Sequence, residues 1–321
     1  MMRRSVLFSF LCVCFCNATY AQAQNYPVRP VRLVVPYAAS GPTDTLARIV
    51  AQKFTELWGE QVVVDNRPGA NSIIGTEIVA RSQSDGHTLL VALPAFAINP
   101  TMYPKLPYDT LRDFLPISMM GTAGYVIVVN SSLPVKSIKD LVALAKARPG
   151  QLSFGSGGIG SPAHLAIELL QQKAGIKMEH VPYKGGAPAL LDLVTGQIQV
   201  MANPIGSSMP FVNAGKLRAI AVSSDKRSRI IPNVPTVSEA GIGTYRISTW
   251  YGLFAPAKTD PSIVQFMAKS LSTALKDPDV EKRFAAFAVE PVGNSPAAFS
   301  QFVREEIAQW AQLIRTANIA R

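Results

Sequence analysis

The feature that most constrains this fold is an alternation of short strand-like runs with helical segments. Val31 to Tyr37 is rich in β-branched residues and predicts a strand, whereas residues 44–58 carry apolar side chains at helical spacing. The same order continues with strands at 61–65 and 87–93 and a helix at 75–82. Strands that alternate with helices are typical of repeated βαβ units. The sequence therefore predicts the α/β class with a largely parallel sheet.

A second series of the same kind follows further along the chain. Its predicted strands are 125–130, 152–155, 177–181, 198–202 and 217–223, and its predicted helices are 137–148, 162–174 and 187–195. Beyond residue 244 the pattern gives one strand, 248–255, and then helices at 261–275, 279–284 and 296–316. A tail with so little strand content cannot form a sheet domain alone, so we expect it to complete the first domain.

This return makes the first domain discontinuous. We predict a first domain of residues 24–122 plus 246–321 and a second domain of residues 123–245. The chain then crosses between the two lobes twice, near 121–125 and near 242–247. Ligand receptors that close around a hinge are built in this way.

The N-terminus has the three parts of a secretory signal peptide. Met1–Arg4 is basic, Ser5 to Cys16 is an apolar stretch of 12 residues, and Ala21 and Ala23 are the small residues of a cleavage site. A membrane span needs about 20 apolar residues, which favours a cleaved signal over a retained anchor. We therefore expect residues 1–23 to be removed by cleavage after Ala23, together with all three cysteines. A cysteine-free exported chain depends on core packing rather than on disulfides.

Composition excludes other classes. Hydrophobic residues form 48% of the 321-residue chain and charged residues only 16%, which indicates a core-rich globular protein and not a disordered one. The net charge of +10 becomes +8 once the two N-terminal arginines are removed, and the charges are scattered singly. We therefore expect anionic small-molecule ligands and no nucleic-acid partner.

The loop after the first strand, residues 36–44, joins a strand end to a helix start through small residues. Backbone N–H groups at a helix start attract anions, and this loop contains no Lys, Arg or His. We expect Asp44 or Thr43 to be the N-cap and any anion to be held by the backbone. The alternative is an ordinary capped turn with no ligand.

A second strand-to-helix loop, residues 155–162, matches G-x-G-x-x-G. A dinucleotide site also needs an acidic residue at the tip of the next strand, but Glu179 lies inside that strand. Ser161 followed by Pro162 is instead a well-formed helix start. With the Ser156 hydroxyl and several backbone donors, the loop suits a carboxylate or a phosphate.

This region contains neither a complete hydrolase motif nor a complete set of metal ligands. Neither serine stands in G-x-S-x-G, as a hydrolase of that type requires. His164 and Glu168 stand four residues apart on a predicted helix and could bind a metal, but no third ligand is close in sequence. We therefore expect a packed, hydrogen-bonded histidine, no metal, no cofactor and no catalytic residues.

Two more loops follow predicted strands, residues 65–75 in the first series and 181–188 in the second. For Arg67 we favour a structural ion pair or loop clamp. Four such loops from two lobes should converge where a cleft forms.

The sequence resembles the Bug-type solute-binding receptors of tripartite tricarboxylate transporters over essentially all of the mature chain. The resemblance rests on Val34–Tyr37, Gly41–Asp44, Ala47–Arg48, Val63–Ala70, Ser84–Leu90, Leu106–Asp109, Ala145–Gly150, Gly160–Ala166, His180–Gly185, Ala187–Ala189, Val234–Gly241 and Trp250–Pro256.

This resemblance implies a two-lobed periplasmic binding protein of type II, with the ligand in the cleft between the lobes. It implies a monomeric receptor that captures a small carboxylated anion by cleft closure and delivers it to a membrane permease, without chemistry on the ligand. The residues that it implies for the site are Tyr37, Ala39, Ser40, Gly41, Thr43, Asp44, Asn71, Ser156, Gly160, Ser161 and Asn203.

Two positions depart from the family pattern. Ser40 precedes Gly41 where a Gly-Gly pair is usual, and His87 stands where Tyr is usual. Two alternatives stay open at this point: an exported α/β hydrolase or dehydrogenase acting on a small carboxylate, and a receptor that serves signalling instead of transport.

Overall fold

The computed structural model describes residues 26–317 and residue 319. The predicted signal peptide, residues 1–23, lies outside the described residues. The described chain is a mixed α/β protein of the two-lobed type. No helix in its described part is both long enough and apolar enough to span a bilayer.

The first lobe opens with three strands and three helices in alternation. They are β1 (Val31–Val35), α1 (Pro42–Trp58), β2 (Val62–Asn66), α2 (Ile73–Ala80), β3 (Thr88–Ala92) and α3 (Ala95–Met102). β1 pairs in parallel with both β2 and β3. The predicted βαβ order of this region is confirmed.

The second lobe repeats this order after one long strand. Its elements are β4 (Phe114–Asn130), α4 (Ile138–Ala147), β5 (Ser153–Ser156), α5 (Pro162–Ala174), β6 (Glu179–Pro182), α6 (Gly186–Thr195), β7 (Val200–Pro204), α7 (Ile205–Asn213) and β8 (Leu217–Val222). β5 is parallel to both β6 and β7. The tail adds β9 (Ser248–Pro256), α8 (Pro261–Ala274), α9 (Pro278–Ala285), β10 (Glu290–Pro291) and α10 (Pro296–Thr316).

Strand β4 belongs to both lobes. Its first part, residues 114–124, pairs with β9, and its last part, residues 125–130, pairs with β7 and β8. All three pairings are antiparallel, and β9 is also antiparallel to β3. Strand β3 therefore runs in the direction of β4, whereas β7 runs against it. The carboxyl ends of β1–β3 and of β5–β7 consequently face each other.

The register of β4 gives the scale of the gap between these strand ends. The last residue of β3, Ala92, pairs with Gly252, which pairs in turn with Met119 of β4. The last residue of β7, Pro204, lies opposite Tyr125 of β4. Six residues of strand correspond to about 20 Å at about 3.3 Å per residue. Loops after the strand ends enter this gap from both sides.

The tail contributes β9, which pairs with β3 and with the first part of β4. Trp250 of β9 and Trp310 of α10 are fully buried, and both indole N–H groups donate to Glu306 Oε2 at 3.0 Å. The two indole hydrogen bonds lower the pKa of Glu306, but burial raises it by more, so the pKa lies above its usual value. One buried carboxylate thus joins the last helix to the strand between β3 and β4. The domain boundaries themselves stay a prediction.

Candidate functional site

The first loop differs from the sequence prediction in its cap. Helix α1 begins at Pro42, and its N-cap is Gly41, so Asp44 and Thr43 lie inside the first turn and the prediction that one of them is the N-cap is wrong. Proline suits the first helical position because the N–H that it lacks has no intrahelical partner there. Gly41 has no side chain to accept from the N–H groups of Thr43 and Asp44, which leaves this helix start without a side-chain cap.

Asp44 instead organises the loop from within. Its carboxylate accepts the Ser40 N–H at 2.8 Å, Arg48 Nε at 3.0 Å and Asn66 Nδ2 at 3.0 Å. Burial would raise the pKa of Asp44, but these hydrogen bonds and the Arg48 charge outweigh it, and the pKa lies below its usual value. Asn66 also donates to the Tyr37 carbonyl at 3.2 Å, so one amide at the end of β2 fixes both ends of the loop.

Ser40 has a φ of +65°, a left-handed conformation that glycine adopts most easily. The departure from the family's Gly-Gly pair therefore falls on a position with a backbone cost. Ala39 is exposed beside it. The Tyr37 hydroxyl is shielded from solvent beside Ser72, without a hydrogen-bond partner at bonding geometry, and burial raises the pKa of this phenol. His87, the other departure, precedes β3 at the end away from the gap.

The loop after β2 is strained. Ala70, Asn71 and Ser72 are consecutive non-glycine residues with positive φ, between +45° and +71°. Such a run is rare because each left-handed residue costs about 1–2 kcal/mol. The Asn71 side chain donates to Asn99 Oδ1 at 2.8 Å, and Asn99 Nδ2 donates back to the Asn71 carbonyl at 2.9 Å. Helix α3 therefore holds the loop that carries Asn71. Arg67 pairs with Asp65 at 3.0 Å, as predicted.

In the second lobe, Ser161 is the N-cap of α5, as predicted, and its Oγ accepts the His164 N–H at 3.3 Å. Ser156 plays a different part from the one predicted. It is fully buried, and its hydroxyl contacts the Gly158 carbonyl at 3.0 Å, the Gly158 N–H at 3.1 Å and His180 Nε2 at 2.7 Å. All three contacts are satisfied when His180 Nε2 carries the proton. Ser156 therefore shapes the loop, and its hydroxyl is not free for a ligand.

Two stacked histidines pack against the loop after β5. The His164 and His180 rings stack 3.8 Å apart, and His164 Nδ1 accepts the Gly160 N–H at 3.1 Å. Burial and the neighbouring His164 lower the pKa of His180 to about 4, which keeps it neutral at neutral pH. His164 Nε2 lies 3.4 Å from Glu168, but the described residues hold no group of three or more His, Cys, Asp or Glu side chains suited to a metal. The packed, hydrogen-bonded histidine is confirmed.

The remaining second-lobe residues lie against the same loop. A Cβ atom at Gly157 would lie 3.2 Å from the Gly186 nitrogen, so the loops after β5 and β6 touch. A Cβ atom at Gly186 would lie 3.8 Å from Asn203 Oδ1. Asn203 is buried and donates to the hydroxyls of Ser207 and Ser208 at 2.9 Å. Asn203 therefore lies beside the loop after β6, which in turn touches the Ser156 loop.

Helix α3 connects the two halves of the site. Met102 lies about one turn after Asn99 and packs on Gly160. A Cβ atom at position 160 would lie 2.7 Å from the Met102 methyl group. The loops that carry Asn71 and Gly160 thus contact the same short helix from opposite lobes. Sequence reasoning missed Asn99, Met102, Asn66 and Arg48, although the last two stand inside the motifs that carry the resemblance.

Two cavities of the described chain lie outside these loops. One of about 540 Å³ lies beside Tyr245, and one of about 500 Å³ borders the outer loop from Leu106 to Arg112. Neither is lined by a predicted site residue. Strand-end geometry and open backbone donors identify the candidate site better than cavity size does.

Comparison with known proteins agrees with this geometry. Residues 46–319 match the model of the tripartite tricarboxylate transporter family receptor. The chain belongs to this receptor family. BugT of Bordetella pertussis is 37% identical over 300 residues, which cover 93% of this chain and 92% of BugT. The family consists of receptors, which confirms the non-enzymatic prediction and sets the hydrolase and dehydrogenase alternatives aside.

Solved structures of similar proteins share the two-lobed fold. Rpa4515 of R. palustris, solved with adipate, superposes with a TM-score of 0.80 at 34% identity, covering 92% of this chain and 99% of Rpa4515. MatC of Rhodopseudomonas palustris, with bound malate, gives a TM-score of 0.75 at 30% identity, covering 90% of this chain and all of MatC. The predicted fold class is confirmed.

Proposed function

We propose that this receptor captures a small carboxylated organic anion in the gap between the facing strand ends. It closes on the anion and delivers it to the membrane permease of a tripartite transporter. The proposed site comprises Tyr37, Ala39, Ser40, Gly41, Thr43, Asp44, Asn71, Ser156, Gly160, Ser161 and Asn203. The receptor acts in the periplasm after cleavage behind Ala23, as a monomer, without a metal or cofactor.

One observation carries this proposal: helix starts that open on the gap lack side-chain caps in both lobes, among them those of α1 and α6. Gly41 precedes α1 in the first lobe, and Gly185 precedes α6 in the second. The helices α4, α5, α8, α9 and α10 begin with a serine or aspartate that caps them, so α5 is the capped helix start within the proposed site. Uncapped N–H groups at a helix start favour an anion by hydrogen bonding and by the helix dipole.

The charge distribution supports a carboxylate rather than a cation. Arg48 is bound to Asp44 and Asn66, which leaves the first loop to recognise its anion through backbone donors. On the opposite side, Lys184 is exposed in the loop before α6 and forms no ion pair among the described residues. Charge-assisted hydrogen bonds are worth about 1.5–3 kcal/mol each, so a few of them outweigh the cost of closure.

Ser156, Gly160 and Asn71 serve this site indirectly. Ser156 fixes the turn whose backbone faces the gap, and Gly160 and Asn71 attach the two rims to α3. The strained 70–72 run is consistent with a binding role, because strain persists where the surrounding structure imposes it for function. The carboxylates in Rpa4515 and MatC, adipate and malate, are ligands of the class that this geometry suits.

The test is a calorimetric screen of the mature chain, residues 24–321, against mono-, di- and tricarboxylates and aromatic acids. The best ligand is then compared with its amide and its methyl ester. We expect saturable binding of at least one acid and at least a tenfold weaker response to its neutral forms. Equal binding of acid and amide would refute anion recognition, and turnover of any ligand would refute a receptor role.

A further inference from the structure

The positive charge of the second lobe is concentrated at its end away from the gap. Residues 123–245 contain 12 Lys and Arg against 6 Asp and Glu, a formal charge of +6. Seven of these cations, which we call the basic pole, lie on or next to the segments at the far end: Lys136, Lys139, Lys146, Arg148, Lys177, Lys216 and Arg218. Only Asp140 and Glu179 provide negative charge there.

Topology brings these segments together. β4 ends at the far edge of the lobe. β7 and β8 begin at that edge because they are antiparallel to β4, and β5 and β6 begin there because they run parallel to β7. The Gly150 N–H donates to the Lys177 carbonyl at 2.9 Å, and the Ser131 N–H donates to the Lys216 carbonyl at 3.2 Å. Five adjacent strands span about 19 Å at about 4.8 Å each, which sets the width of the basic pole.

The cations of the basic pole are not neutralised by carboxylates. Six are exposed, and none of the seven forms an ion pair among the described residues. Arg218 is half-buried and donates to the Val135 carbonyl at 2.7 Å, which fixes the turn before Lys136. In the first lobe, Arg29, Arg32 and Arg81 are each paired with a carboxylate, whereas several exposed lysines there are not.

The surface around these cations lacks an apolar anchor. The large exposed hydrophobic residues of the described chain, such as Leu57, Ile159 and Phe266, all lie outside the segments that form the basic pole. A protein interface usually centres on buried aromatic or aliphatic contacts. An anionic lipid surface needs only a group of Lys and Arg side chains within reach of its headgroups.

We propose that the basic pole is a docking surface for anionic phospholipid headgroups, which holds the receptor loosely at a membrane. Contact at the far end of one lobe leaves the gap between the lobes unobstructed. Attraction of this kind acts over about one Debye length, about 8 Å at physiological ionic strength, and is therefore reversible and sensitive to salt.

The experiment is sedimentation of the mature chain with vesicles. One set is pure phosphatidylcholine, and the other is phosphatidylcholine with phosphatidylglycerol at a ratio of about 3:1, each in about 25 mM and about 500 mM NaCl. The test variant carries Glu at Lys136, Lys139, Lys146 and Lys177. The matched control carries Glu at four exposed lysines of the first lobe, Lys105, Lys269, Lys276 and Lys282, which also form no ion pair among the described residues.

We expect the parent to sediment with anionic vesicles at low salt only, with at least tenfold weaker apparent affinity in the test variant. The control variant, with the same net charge, should lose less than threefold. Equal losses in both variants would show that net charge alone acts, which would overturn the proposal. Absence of binding to anionic vesicles at low salt would also overturn the proposal, even if the basic pole bound acidic proteins. Circular dichroism and a variant with Ala at the same four test positions show whether an effect reflects folding.

Discussion

The first loop depends on one carboxylate, and Asp44→Asn tests this dependence. In the parent, the Asp44 carboxylate accepts from Ser40, Arg48 and Asn66 at 2.8–3.0 Å. An amide offers one oxygen and one NH₂ group. If its oxygen keeps the Ser40 and Arg48 bonds, its nitrogen faces the Asn66 amide nitrogen, and two donors meet. In the opposite orientation, two donors lose their acceptor.

The cost follows from these partners. At least one part-buried donor is left unpaired, which costs about 1–2 kcal/mol. The Arg48 bond also loses its charge assistance, worth about 1 kcal/mol or less because the Arg48 side chain is 52% exposed. We expect a loss of about 2 kcal/mol in the free energy of unfolding. If the loop must be ordered to bind, affinity falls at least tenfold.

Asp140→Asn is the matched control. Asp140 holds the same position in the first turn of α4 and accepts the Lys136 N–H at 2.9 Å, but it is exposed and has no arginine or asparagine partner. Its substitution should cost less than about 0.5 kcal/mol and leave ligand binding unchanged. Thermal unfolding and calorimetric titration of both variants, with the ligand found in the screen, provide the comparison.

The pH dependence supplies a second check. Because the folded pKa of Asp44 is below its unfolded value, its contribution to stability is fully present above about pH 4. That contribution is lost as the pH falls through the folded pKa. The stability difference between the parent and Asp44→Asn should therefore be constant near neutrality and shrink below about pH 4. An Asp44→Asn variant with parental stability and affinity would refute the argument.

Three further predictions concern the same loops. Ser40→Gly should change stability by less than about 1 kcal/mol, because it relieves a positive φ. Gly41→Val should keep the melting temperature, since a Cβ atom at position 41 meets only a carbonyl oxygen at 3.5 Å, but it should lose affinity at least tenfold because its side chain obstructs the backbone donors. Equal affinity of both variants would contradict a backbone site. Ser161→Ala should lower stability without ligand by about 1 kcal/mol through the lost cap, and an unchanged thermal unfolding curve would exclude that role. Stability should decline as the pH falls from about 6.5 to about 4, because His180 binds a proton in the unfolded chain over this range but stays neutral in the folded protein. If the stability of His180→Gln declines as steeply with pH as that of the parent, the effect belongs to another group.

The sequence predicted the regular elements well where burial dictates composition. Parallel strands covered on both faces have largely apolar sequences, and this is why β1 and β3 could be predicted. The helices α3 and α7 were missed. Each is short and contains a proline, Pro100 and Pro210 respectively, and proline inside a helical pattern ordinarily argues for a boundary. The first part of β4 was missed for a similar reason, because Pro116 and two glycines interrupt it.

The site was predictable as a set of loops but not as a set of contacts. Ser161 was identified as a cap because serine followed by proline specifies a helix start locally. The N-cap role predicted for Asp44 was wrong, because Gly41 is the N-cap. The contacts of Asp44 with Asn66 and of Ser156 with His180 were not predicted, since these partners lie 22 and 24 residues away along the chain, beyond the reach of a local pattern. A buried polar side chain bonds to whatever the fold brings near it, and only the tertiary structure shows which group that is.

The convergence of the loops depends on a strand that contributes no predicted ligand-binding residue. β9 comes from the tail and lies between β3 and β4, antiparallel to both, so the two first-lobe strands that flank it run in the same direction. β7 then pairs with the far part of β4 in the opposite direction. Without β9 nothing would direct the ends of β1–β3 toward those of β5–β7. The buried contact of Trp250 with Glu306 holds this strand against α10, so the geometry of the site rests on the last 75 residues of the chain as much as on its loops.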